Sequence, residues 1–216
     1  MASSSTPATP LLYSCIAHNT TILAECTTSA ASQTSSLASL ILPKINHDTP
    51  QKLTYTHGNH HIHYIAESPS EHSSSPAAGG LTFLVVAESS LGRRIPFGYL
   101  FEIRKRFLSQ FPPESTAYDD LPNYGAGSFN AELKSLMVEY GATSGGRDDA
   151  ITTAQREIDD VRGIMTRNIE GLLERGERMI CLGLKREMWW KNVKLMALLV
   201  LVLVLIVVAI IIAVKV

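Results

Sequence analysis

Four histidines, His57, His60, His61 and His63, crowd one short stretch of this chain. Neutral imidazole nitrogens are frequent ligands for divalent metals, so this cluster is the first place to look for chemistry. His61 and His63 would share one face of a strand. No cysteine or carboxylate lies at ligand spacing beside them, however, and a polar, solvent-facing side of a hairpin accounts for all four. Neither a metal nor a cofactor is expected. Nucleophilic chemistry is less well supported still: Gly141–Gly145 misses the G-x-S-x-G elbow by one residue and lies in a hydrophilic stretch. Gly125–Gly127 lacks the Lys-Ser/Thr of a phosphate loop and follows no strand. Asp119 and Asp120 have no evident base or metal partner. No catalytic residue is assigned, and an enzyme is not expected.

Charge and sulfur leave softer candidates. A formal net charge of -1 carries no nucleic-acid footprint. Arg104, Lys105 and Arg106 suit the solvated side of a helix, with an acidic partner or a lipid headgroup as the other reading. The three cysteines (Cys15, Cys26 and Cys181) form no paired framework, which fits a reducing compartment. Cys181 is a candidate for S-palmitoylation, with an unmodified thiol as the alternative.

One pattern has no bland explanation. Steps of three and four residues from Ile151 reach Ala154, Ile158, Val161, Met165, Asn168, Leu172, Arg175 and Met179. This is the 3.5-residue spacing of a coiled-coil seam. The stripe is narrow, carries an arginine, and is interrupted at Gly163, Gly171 and Gly176, each costing ~1 kcal/mol relative to alanine inside a helix. Such a segment is expected to become helical only when partner helices arrive. A buried guanidinium is tolerable where facing helices satisfy its donors, and it then penalises every misaligned register.

The elements around the seam follow in order. Residues 1–10 are expected to be disordered. Strands are expected at Leu11–His18, Thr21–Cys26, Lys52–His57, His60–Glu67 and Leu81–Ala87, with the turn at Gly58-Asn59 as the strongest hairpin signal. Helices are expected at Gln33–Lys44, Pro96–Phe111 and Ser128–Tyr140, the last with Ser128 as N-cap. Ser68–Gly80 reads as a flexible loop. Together, 11–140 make one α+β domain, and 141–149 a hydrophilic linker to the seam segment at 150–186.

Beyond a juxtamembrane stretch at 187–194, Leu195–Val214 is a charge-free apolar block of 20 residues. At ~1.5 Å per residue it matches the hydrocarbon thickness of a bilayer. Trp189, Trp190, Lys191 and Lys194 sit where interfacial residues belong, and the basic flank keeps the preceding chain in the cytosol. The expectation is a single-pass tail anchor.

Gly163–Glu170 followed by Leu173–Arg178 closely resembles the motif of R-SNAREs, specifically the longin-type, synaptobrevin-like vesicle-associated membrane proteins of endosomal and vacuolar membranes. Thr20–Ala24, Lys52–Asn59 and Phe101–Phe107 resemble their longin domain. The resemblance implies a profilin-like fold, with an antiparallel five-stranded sheet and helices on both faces. It also implies that Arg175 is a zero layer meeting three glutamines from Q-SNARE helices in a four-helix bundle. Further implied are trafficking adaptors on the longin domain, a fold-back of that domain onto the seam, and residence on endosomal, vacuolar or transport-vesicle membranes.

The family carries eight more layers after its arginine, about 28 residues at ~3.5 per layer. Here only Gly176–Lys194 separate Arg175 from the apolar block, and the seam fades after Met179 and Leu182. Two readings follow. One is a fusion-driving R-SNARE whose sequence lacks the membrane-proximal half of its motif. The other is a membrane-anchored binding module that engages Q-SNAREs without completing the zipper and so regulates fusion.

Overall fold

Alternating apolar residues dictate strands whose two faces are both covered, and these strands meet in one sheet. The computed structural model describes residues 9–28, 33–72, 76–142 and 164–170. Its elements are β1 (Leu11–His18), β2 (Thr21–Thr27), α1 (Gln33–Ile41), β3 (Gln51–His57), β4 (His60–Ala66), β5 (Leu81–Glu88), α2 (Arg94–Gln110), α3 (Asn130–Ala142) and β6 (Met165–Asn168). Up to α3 the order is the expected one. Residues up to Ile169 form one compact unit, and a second begins at Glu170, its only described residue.

The strand order is β2-β1-β5-β4-β3-β6. Every pair is antiparallel except β3 with β6, which run parallel. The expectation of a five-stranded antiparallel sheet is therefore corrected: the sheet has six strands and is mixed. The sixth comes from the seam segment, expected as one helix over 150–186. At Met165–Asn168 the chain is extended instead.

Period-two alternation sorts the strand residues between two faces. Phe83, Val85, Ile16 and Ile65 join Phe97, Leu100 and Phe107 of α2 and Leu133 and Met137 of α3 in one core cluster. The intervening residues Cys15, Ile62, Tyr64, Leu84 and Val86 are buried outside that cluster, as are Leu37, Ala38 and Ile41 of α1. Each fully buried large side chain contributes roughly 1.5–3 kcal/mol. Gly58, at φ 55° in the β3–β4 turn, and Asn19, at φ 53° between β1 and β2, supply the left-handed residues that tight hairpins need.

Two local expectations change. Ser128 is not an N-cap; it lies inside a 3-10 turn, Gly127–Phe129, and α3 starts at Asn130, whose Oδ1 accepts the Glu25 N–H at 3.0 Å. The stretch read as a flexible loop has 3-10 turns at Pro69–Glu71 and Pro76–Gly80. The first carries a Ser68–Glu71 capping box, which satisfies two otherwise orphaned backbone donors. Among the described residues no helix is long and apolar enough to cross a membrane; the block Leu195–Val214 lies outside them.

Candidate functional site

The edge of β3 is where the two halves of the sequence meet. β6 lies along it with Leu53 opposite Met165, Thr54 opposite Thr166, Tyr55 opposite Arg167 and Thr56 opposite Asn168. Local sequence permits this: Thr166 is β-branched, and Gly163 just before it weakens a continuous helix. The backbone ladder continues past the strand, where the Ile169 N–H donates to the Thr56 carbonyl at 3.1 Å. At the other end, Arg93 Nη1 donates to the Ile164 carbonyl at 2.9 Å.

Burial along this segment is uneven. Ile164 and Ile169 are 8% and 0% exposed, and Ile164 belongs to the α2-side core. Met165, a seam residue, is 58% exposed, and the seam residue Asn168 is exposed as well. The buried side chains of this segment are thus the two isoleucines beside the seam, whereas the side chains of Met165 and Asn168 are exposed. Arg93, Ile164 and Ile169 were not among the sequence candidates. The available signal was two isoleucines, off the stripe, bracketing four residues with little apolar character.

Next to Ile164 opens a cavity of about 520 Å³, lined by Lys52, Ile65, Glu67, Phe101 and Arg104 among others. Lys52 Nζ stands 5.0 Å from the centre of the Phe101 ring, a cation–π contact. The Glu67 carboxylate is fully buried and is clamped by Arg104 and by His72, whose Nε2 donates at 2.9 Å. Burial alone would raise its pKa, but the Arg104 guanidinium and His72 outweigh this and hold it below the usual carboxylate range.

The other candidates resolve as follows. Of the basic triplet, Arg104 pairs with Glu67 and Arg106 bridges Glu102 and Glu132, which leaves Lys105 to face solvent. His57, His60 and His61 are partly exposed, but His63 is fully buried, which corrects the solvent-facing expectation. Its Nδ1 shares a 2.9 Å hydrogen bond with Thr54 Oγ1, and its ring packs edge-on to Phe97. Burial, reinforced by His61 and Arg93, drives its pKa down to about 3, so it is neutral. Among the described residues no three His, Cys, Asp or Glu side chains are grouped to hold a metal. Cys15 is buried, with its thiol pushed up to about 12 by that burial; such a group is not a nucleophile. Asp119 lies 3.6 Å from His18.

Among the seam residues, Met165 and Asn168 are thus placed. Ile151, Ala154, Ile158, Val161, Leu172, Arg175 and Met179 lie outside the described residues, as do Cys181, Trp189, Trp190, Lys191 and Lys194.

Comparison with known proteins agrees with this architecture. The model of the longin family, described as a regulated-SNARE-like domain, matches residues 23–133. The chain is 32% identical over 215 residues to vesicle-associated membrane protein 7B of Dictyostelium discoideum, covering 88% of this chain and 74% of that protein. It is 28% identical over 210 residues to vesicle-associated membrane protein 711 of Arabidopsis thaliana, covering 88% and 89%. To vesicle-associated membrane protein 7 of Rattus norvegicus it is 29% identical over 209 residues, covering 88% and 87%.

Proposed function

Because this chain belongs to the longin-type R-SNAREs of the vesicle-associated membrane protein 7 group, we propose that it is a tail-anchored R-SNARE pairing with three Q-SNARE helices in vesicle docking and fusion. Its route is endosomal–vacuolar traffic. In this reading Arg175 is the polar layer of the bundle, the seam from Ile151 to Met179 forms the packed core, and Leu195–Val214 is the membrane anchor. The longin domain serves as the regulatory half. Trafficking adaptors and the fold-back segment are its ligands, and its role is binding rather than catalysis.

The observation that carries this reading is the double use of Met165–Asn168. The residues that belong to the seam by spacing are paired with the β3 edge in the structure. A segment held as a strand on its own domain cannot at the same time be a helix in a bundle. The longin contact therefore opposes assembly, and partner helices must displace it.

A second reading rests on the short distance from Arg175 to the apolar block. A bundle that stops about two layers past its arginine would bind Q-SNAREs without drawing the bilayers together. Reconstitution separates the two readings. The full chain in liposomes is mixed with liposomes bearing cognate Q-SNAREs. Lipid mixing supports the fusion reading, whereas complex formation without lipid mixing supports the regulator. Arg175→Ala is expected to degrade register and disassembly behaviour more than assembly itself; no complex with any Q-SNARE set would end both readings.

A further inference from the structure

We infer that Thr166 is a phosphorylation site whose phosphate is received by Arg93. The site stands on described side chains; only its effect on assembly rests on the SNARE reading above.

Thr166 carries the hydroxyl of β6 and is exposed on the last strand of the sheet, between the buried anchors Ile164 and Ile169. An extended segment at a sheet edge is open to another chain, here a modifying enzyme that uses a nucleoside triphosphate. The bond from the γ-phosphorus to its bridging oxygen breaks, and a bond from Thr166 Oγ1 to phosphorus forms. The hydroxyl proton passes to the enzyme's base, and the nucleoside diphosphate leaves.

The register places the phosphate. Thr166 lies opposite Thr54, and Thr54 opposite His63. Paired residues share a face, and His63 packs on Phe97 of α2, so Thr166 is on the α2 side. Two residues back, about 6.6 Å along the strand, the Ile164 carbonyl accepts from Arg93 Nη1 at 2.9 Å. A guanidinium has several N–H donors in a fixed fork, so Arg93 can keep that bond and offer others to a phosphate.

The surroundings favour an anion. Arg93 is the N-cap of the 17-residue α2, whose first turn has no acidic residue, so the positive helix end adds to its charge. On β4, Nδ1 of His61 and Nε2 of the fully buried His63 are buried without hydrogen-bond partners. Burial and the charge of Arg93 both disfavour protonation of these two rings. A phosphothreonine brings roughly −1.5 to −2 charges and opposite an arginine forms about one to three charge-assisted hydrogen bonds.

The packed layers of a bundle would not feel this group. At ~100° per residue, Thr166 points roughly 130° away from the middle of the stripe through Met165 and Asn168. The phosphate acts on the strand form alone: it tightens the segment on the β3 edge, and its hydrolysis loosens it.

The test uses the full chain in detergent, unmodified and phosphorylated at Thr166, each with and without Arg93→Gln. The effect of the phosphate is then compared within each background. Hydrogen exchange at the Ile169 amide reads the edge, with the β5 amides as a control for folding. The His61 ring titration, followed by NMR, reads the nearby charge. With Arg93 in place, the phosphate is expected to slow Ile169 exchange by about tenfold and to raise the pH at which His61 titrates. Assembly with three glutamine-bearing SNARE-motif helices should slow, with the melting temperature of the finished complex unchanged. With Arg93→Gln, most of the protection should vanish. Exchange that does not slow, protection that survives Arg93→Gln, or a His61 titration that stays put or falls would overturn the receiving site. Phosphopeptide mapping of the chain from its own cells, with Thr166→Val as the blank, tests the modification itself. Phosphothreonine at 166 is expected, and its absence would overturn the assignment. Failure of the unmodified chain to assemble would remove the SNARE reading, while exchange and the His61 titration would still judge the phosphate site.

Discussion

The two edges of the sheet are closed in different ways. At β2, the domain closes its own edge: the Tyr124 N–H donates to the Ile22 carbonyl at 2.8 Å and the Ala126 N–H to Leu23 at 3.0 Å. Tyr124 adopts φ 63°, unusual for a bulky residue, and its hydroxyl donates to Glu25 Oε1 at 3.0 Å. This capping loop lies within the same domain, a short distance from α3 in sequence. At β3, the edge is closed by four residues of the motif segment, more than a hundred positions away in sequence. An open edge is a template for any extended chain. The first edge is shut by a loop beside α3; the second is shut by a segment that also carries two residues of the seam spacing. On the proposed function, regulation belongs at the second.

That contrast can be broken most forcefully at Ile169. Placing a charge there, Ile169→Asp, buries a carboxylate with no partner and should cost the closed state about 3 kcal/mol or more. β6 should leave, while the melting temperature of the remaining sheet changes little, a result readable by amide exchange and calorimetry on the same sample. Cooperative loss of the whole domain would mean that the β3 edge is as integral as the β2 edge.

Acid is the next lever, because His63 sits on the strand next to that edge. Its folded pKa is depressed, so the unfolded chain binds more protons between about 6.5 and about 3. Stability is fully present above the upper value and declines as pH falls, by up to ~1.4 kcal/mol per unit. His61 is shifted the same way, mainly by burial and then by Arg93. Glu67, also depressed, adds its own loss only below the ordinary carboxylate range near 4.5. A melt series from pH 7 to 5 should therefore show a decline that His63→Gln largely removes; an equal decline in the variant would place the sensitivity elsewhere.

Arg93→Ala should act on one edge alone. Losing a charged donor to a backbone oxygen is worth about 1–2 kcal/mol, seen as faster exchange near Ile164 with no change around Ile22. Smallest is Tyr124→Phe at the other edge, about 0.5–1 kcal/mol from one exposed hydrogen bond. It should leave β6 untouched, and faster exchange of β6 amides in this variant would deny the independence of the two edges.

What could be read in the sequence follows the reach of the forces involved. β1 came out with its full range, and β3 and β4 to within a residue at one end, because period-two alternation and a Gly-Asn turn are local signals. The start of α3 was misplaced because Ser128 is an ordinary cap residue in type, yet Asn130, two residues on, is tied to β2 by tertiary contact. His63 was assigned to the correct side of β4 relative to His61, but that side proved to be the one under α2. Alternation shows which residues share a face and leaves open which face is buried. β6 was hidden for a deeper reason. The same residues satisfy a 3.5-residue helical period and an extended ladder, and the choice depends on an edge far away in the chain. The expected fold-back of the longin domain onto the seam named the contact without its residues; the anchors lay just off the stripe that the periodicity made prominent.

The most direct measurement is a covalent lock across the β3 edge. Thr56→Cys with Asn168→Cys joins two residues that face each other in the parallel register. The full chain carrying both is expected to form this bond readily on oxidation, to refuse Q-SNARE helices while oxidised, and to accept them once reduced. If the bond does not form, or if the oxidised chain assembles as fast as the reduced one, the motif is not held at this edge and the account of a self-closed R-SNARE is wrong.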